Sequence, residues 1–172
     1  GLAPALLTVA PTSNSYGNVP TGSSSSAATF TITNTGDVNS GVPAVSLGGT
    51  NMNQFSTSDN GCSSALAPGL SCTVRASFVP TALGAKTANL NIMATPGGAP
   101  AAALDGNGVA PGLLAFSPTS YTFPATLVTT QSATQMFTLS NGGGAATGTI
   151  MTSITGTQAN QFTIVTDGCN GM

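Results

Sequence analysis

Polar and apolar residues alternate along much of the chain. In ATFTITN, Phe30 and Ile32 alternate with Thr29, Thr31 and Thr33; SCTVRASFV puts Cys72, Val74, Ala76 and Phe78 on one face; KTANLNIMA does the same with Ala88, Leu90 and Ile92. A period of two matches a pleated strand with one buried face. Gly and Pro clusters break these runs about every ten residues, at NVPTGSS, NTGDVNSG, LAPGLS, VPTALGAK and TPGGAP. No stretch of about a dozen residues escapes these breakers and carries an apolar stripe of helical period. Roughly seven or eight short strands per hundred residues predict an all-β fold, an antiparallel sandwich of two packed sheets.

The pattern also recurs at one fixed offset, the step that carries Gly1 onto Gly108. GLAPALLTVAPTS at the start returns as GVAPGLLAFSPTS from Gly108, TFTITNTG returns as MFTLSNGG, and GTNMNQF returns as GTQANQF. Of 65 aligned positions 22 are identical, with no gap, and Pro11, Phe30, Asn34, Phe55 and Cys62 map onto Pro118, Phe137, Asn141, Phe162 and Cys169. Self-similarity at a fixed period predicts tandem modules. Residues 1–107 form one module and residues 108–172 the first part of a second copy. If the chain stops at Met172, strands equivalent to 71–79, 86–94 and 101–106 are absent from the second copy, leaving open edges and a bare core face. Because Gly1 aligns with Gly108, the expectation is a segment of a longer tandem protein. The second copy departs from the first at PATLVTT, where NVPTGSS is expected, so a different turn is anticipated there.

The succession APTSNSYGNVPTG (or SPTSYTF), VSLGGTNMNQFSTSDNGC, LAPGLSCTVRASFVPTALGAK and a closing ALDGNGVAP resembles the bacterial secreted repeats of the ASPM/SPD-2/Hydin type, often described as choice-of-anchor D proteins. The resemblance covers residues 4–111 and then restarts. It implies that each module is an immunoglobulin-like (Ig-like) sandwich, similar in fold to those of the major sperm protein and the pilus chaperones. It further implies tandem modules of exported proteins and an extracellular scaffold.

Cys62 and Cys72 stand ten positions apart, and pairing them would close a loop worth roughly 2–3 kcal/mol against the unfolded chain. Two buried free thiols are the other reading of the residues; a zinc site would need ligands that no His and no CxxC supplies. A cysteine pair flanking an APG turn is among the more specific features of the resemblance, which therefore implies a Cys62–Cys72 disulfide and an oxidising compartment. Cys169 stands where Cys62 stands. The equivalent of Cys72 would fall at position 179, so the partner of Cys169 is expected beyond the end or in another chain.

Composition narrows the chemistry. The chain has no His and no Glu, which removes Ser/His/Asp and Cys/His nucleophilic sites and histidine metal sites. Asp37, Asp59, Asp105 and Asp167 are widely spaced, the pattern of turn-capping residues rather than of paired catalytic carboxylates. Asp37 and Asn39 in NTGDVNSG suggest calcium, yet NGGGAATG lacks both side chains, and the cation needs six or more oxygens. Asn53, Gln54 and Phe55 recur as Asn160, Gln161 and Phe162; a buried Phe with a turn is preferred over a ligand rim. No Asn-x-Ser/Thr sequon occurs, though many Ser and Thr side chains are available to O-linked sugar.

With Arg75 and Lys86 as its only basic side chains and a net charge of −2, the chain is poorly suited to nucleic acid or anionic lipid. No apolar run reaches the roughly 20 residues of a transmembrane helix, so membrane insertion is not expected. So little charge gives weak protection against association, which favours packing against copies of itself or neighbouring Ig-like modules. The expected role is therefore non-enzymatic and cofactor-free: an extracellular or cell-surface stalk, appendage or filament subunit, with strand complementation as a route of assembly. The alternative is an adhesin or carbohydrate-binding module that meets a surface glycan through sandwich-end loops. Periplasmic chaperone activity would need basic residues to anchor a partner's carboxylate.

Overall fold

The computed structural model describes residues 1–172, which divide into two units, Gly1–Ala110 and Pro111–Met172. Unit 1 holds eight strands: β1 (Leu7–Ala10), β2 (Ser13–Pro20), β3 (Ala28–Asn34), β4 (Ala44–Gly48), β5 (Phe55–Ser58), β6 (Ser71–Phe78), β7 (Gly84–Met93) and β8 (Ala101–Val109). One sheet has the order β1-β3-β6-β5 and the other β2-β8-β7-β4. The expected all-β immunoglobulin-like sandwich is what the chain forms. The last strand runs past position 107 to Val109.

The alternating residues fill the core between the two sheets. Phe30, Ile32, Val74, Ala76 and Phe78 enter from one sheet, and Ala88, Leu90, Ile92, Ala102 and Leu104 from the other; all are buried. The intervening Thr29, Thr31, Thr73 and Arg75 remain at least partly exposed, so the pleat sorts the residues as the sequence pattern requires.

One pairing departs from the antiparallel expectation: β2 runs parallel to β8. Only Pro11 and Thr12 separate β1 from β2. Pro11 cannot donate to a ladder, and the chain crosses to the opposite sheet without reversing, so β2 keeps the direction of β1. A register shift between Ser15 and Asn18, around Gly17 (φ 65°), gives β2 a bulge.

Unit 2 contains β9 (Leu114–Ser117), β10 (Thr138–Asn141) and a short 3-10 turn at Ala159–Gln161. β9 and β10 pair antiparallel, Leu114 opposite Asn141, which repeats at the sequence offset the pairing of Leu7 opposite Asn34. The 3-10 turn likewise repeats Met52–Gln54. No residue of unit 2 is buried.

At the anticipated turn difference, the backbone stays left-handed. Gly22 has φ 82° and its counterpart Thr129 has φ 73°. A β-branched residue is strained in that conformation, whereas glycine is not.

Candidate functional site

The most heavily bonded polar residue is Asn34, fully buried at the end of β3. Its side-chain oxygen accepts from the backbone N–H of Leu6 (3.2 Å) and of Gly36 (3.1 Å). Its amide group donates to the carbonyls of Val38 (2.8 Å) and Leu66 (2.9 Å). All four side-chain positions are thus used by backbone groups of three separate segments, as burial of an amide demands. Nearby, an added Cβ at Gly36 would collide with the Pro4 carbonyl oxygen, so only glycine fits the turn that follows.

Leu66 belongs to the loop between the first two cysteines. It is buried in the core, its N–H donates to the Ser40 hydroxyl (3.0 Å), and the Ser40 N–H donates to its carbonyl (2.9 Å). The loop is closed by a Cys62–Cys72 disulfide, with 5.2 Å between the Cα atoms and Cys72 lying on β6 opposite Ile32 of β3. Before Cys62, the Asn60 side chain accepts from the Cys62 N–H (3.0 Å), an Asx turn that leads into the disulfide.

An aromatic group joins the sheets at the other end. Phe55 lies 4.9 Å from Phe78 and 6.0 Å from Tyr16 between ring centroids, and the Tyr16 hydroxyl donates to the Ala76 carbonyl across the sandwich (2.7 Å). The β2 bulge aims Tyr16 inward. Burial pushes the phenol up to about 12. Gln54 is buried too, its oxygen accepting from Thr81 N–H (2.7 Å). In unit 1 the Asn-Gln-Phe is therefore a core Phe and a turn-holding Gln, with Asn53 exposed; its copy in unit 2 leaves Gln161 and Phe162 exposed.

The acidic residues are spread among separate tasks. Asp37 accepts from the Ala3 N–H (2.8 Å), Asp59 pairs with Arg75 at an exposed position (3.4 Å), and Asp105 accepts from the Ser15 hydroxyl (2.6 Å). Asp167 accepts from the Thr152 hydroxyl and from the N–H of Cys169 (2.9 Å) and Asn170 (3.0 Å), in that order holding its carboxyl below the usual range. A shallow open depression of about 530 Å³ beside β2 presents Asn14, Ser15, Asn18 and Ser24–Ser26, amides and hydroxyls without a charge.

Unit 2 repeats the node of unit 1. The Asn141 oxygen accepts from Leu113 N–H (2.9 Å) and Gly143 N–H (2.9 Å), and its amide donates to the Ala145 carbonyl (2.7 Å). The offset that carries Asn34 onto Asn141 also carries Leu6, Gly36 and Val38 onto these three partners. A Cβ at Gly143 would meet the Pro111 carbonyl oxygen just as one at Gly36 meets Pro4. Asp167 holds Cys169 N–H as Asn60 holds that of Cys62. Cys169 is a free thiol, partly exposed. In the sequence Asn34 stands out only as one repeated letter. Its recurrence in TITNTG and TLSNGG is the signal that could have marked it.

This geometry defines an immunoglobulin-like sandwich with an asparagine-centred backbone clamp and a disulfide-closed loop. No family model and no curated protein sequence matches the chain. Solved structures similar to it include a protein of unknown function from Porphyromonas gingivalis W83, at 14% identity and TM-score 0.47, over 60% of this chain and 46% of that one. Another is the secreted serine protease VesC from Vibrio cholerae, at 25% identity and TM-score 0.44, over 63% of this chain and 23% of that one. A third is the ASH/PapD-like domain 7 of human CEP192, at 15% identity and TM-score 0.45, over 60% of this chain and 85% of that one. The chain thus spans less than half the length of the first two.

Proposed function

We propose that this chain is a non-enzymatic structural protein built from tandem Ig-like modules of the ASPM/SPD-2/Hydin (choice-of-anchor D) type. It works outside the cell as part of a stalk, surface appendage or filament, and its partners are copies of itself or neighbouring modules of the same kind. The observation that carries this reading is the recurrence, at the sequence offset, of one backbone clamp: Asn34 and Asn141 on matching N–H and carbonyl groups. A clamp that recurs with its strand pairing marks a repeated building unit, and repeated units suit a spacer or fibre. The Cys62–Cys72 disulfide supports an oxidising location.

Gold-labelled antibody against unit 1, applied to intact cells of the source organism, tests the proposal. The reading predicts label on extended surface structures without permeabilisation. Label that appears only after permeabilisation, with Cys62 and Cys72 recovered as thiols, would overturn it.

A further inference from the structure

The sheet edges of unit 1 are unequally guarded. None of its edge strands, β1, β2, β4 and β5, holds a charged side chain. β2 carries the bulge around Gly17 and ends on Pro20, β1 runs into Pro11 after four residues, and β5 is short, its exposed Ser56 and Ser58 leading to the charged Asp59. β4 has none of these protections within it. Pro43 precedes it, Gly49 (φ 95°) ends it, and its five residues pair with β7 in unbroken register.

Hydrogen bonding alternates along β7. The Ile92 N–H donates to the Pro100 carbonyl on the β8 side, so Asn89, Asn91 and Met93 turn toward β4, where they face Gly48, Ser46 and Ala44. The N–H and C=O groups of Val45 and Leu47 therefore point away from β7, along the open edge. Their side chains pack against the core but are only partly buried, while Ser46 is exposed on the outer face.

We propose that β4 pairs antiparallel with β4 of a second copy of this chain, joining two β2-β8-β7-β4 sheets into one across a twofold axis. The proposal rests on the reading that copies of the chain are one another's partners. What selects a second copy is the symmetry of the strand. With the axis at Ser46, Val45 of each copy stands opposite Leu47 of the other, and each such pair exchanges both of the N–H···O bonds that the edge leaves unmade. On the outer side the same register sets Ala44 against Gly48 and Ser46 against Ser46, so apolar meets apolar, small meets small and no charge opposes another. Sliding the strands toward their starts would set Leu47 against Pro43, which has no N–H to give.

Sedimentation equilibrium of the whole chain, in reductant so that Cys169 cannot link copies, tests the pairing. The proposal predicts a reversible dimer. Ser46→Lys and Ser46→Asp each place like charges across the axis without touching the core, and each should weaken the dimer at least about fivefold. An equimolar mixture of the two variants should restore it, as heterodimers that native mass spectrometry separates from either homodimer. A chain that stays monomeric up to about 1 mM would overturn the proposal. So would a dimer that neither substitution weakens, or a mixture with no preference for the heterodimer. The proposed location is read separately: antibody label on intact cells together with a monomeric chain would remove this contact and leave the extracellular reading standing.

Discussion

Asn34 and Asn141, equivalent positions of the repeat, use the same side-chain atoms to hold the same three backbone groups: the N–H just ahead of each unit's first strand, an N–H two residues on and a carbonyl four residues on. In unit 1 a fourth bond reaches Leu66 inside the disulfide loop. The clamp ties the first strand, the turn after β3 and the loop between the cysteines into one node.

Truncating that node leaves buried N–H and C=O groups with no partner. Asn34→Ala should destabilise unit 1 by about 3–4 kcal/mol, near the top of the range for single substitutions. Asn34→Asp should be nearly as costly, since it keeps the acceptor but loses both donors. Chemical denaturation monitored by tyrosine fluorescence reads the change.

The disulfide adds a separate contribution. Cys72→Ser should cost about 2–3 kcal/mol through the freer unfolded chain, and Cys62 would keep its buried site as a thiol. The midpoint of denaturation should shift in the substituted chain without a shift in its denaturant slope beyond what a less compact unfolded state brings.

Tyr16 gives a pH dependence with a definite sign. Its folded value, about 12, lies above the ordinary value of 10.0, so the folded state holds the phenolic proton more tightly than the unfolded state does. The stabilisation is fully present below pH 10 and is lost as pH rises toward 12. For a half-buried ring this amounts to about 1–2 kcal/mol after solvent screening. In a Tyr121→Phe background, tyrosinate absorbance should follow Tyr16 alone, and Tyr16→Phe should remove the alkaline loss of stability.

The left-handed turn separates the two units by chemistry at one position. Gly22→Thr should cost unit 1 about 1–2 kcal/mol, because a β-branched residue enters φ 82° with open space around it and only the backbone to blame. Thr129→Gly should relieve the same strain in unit 2, read as slower exchange of the Thr130 amide that closes that turn onto Leu127.

The strands were legible in the sequence because one face of each is buried and the other wet, so Phe30, Ile32, Val74, Phe78 and Leu90 announce themselves by alternation. The repeat was legible because its fixed offset carries no gap. The parallel pairing of β2 with β8 was not, since it arises from the two-residue crossing at Pro11 and Thr12 and leaves no trace in periodicity. Nor was the clamp. Asn34 sits in a turn-like TNTG where asparagine is ordinary, and only the fold shows that its amide faces inward onto segments up to 32 residues away.

The most direct test of the repeat is amide hydrogen exchange at four matched positions: Leu6 and Gly36 around Asn34, Leu113 and Gly143 around Asn141. A clamp built twice predicts that all four exchange at least about tenfold more slowly than in the unfolded chain. It also predicts that Asn141→Ala frees Leu113 and Gly143 while leaving Leu6 and Gly36 protected. Protection at Leu6 and Gly36 alongside unfolded-chain rates at Leu113 and Gly143 in the unsubstituted protein would contradict the claim that one module's clamp occurs twice.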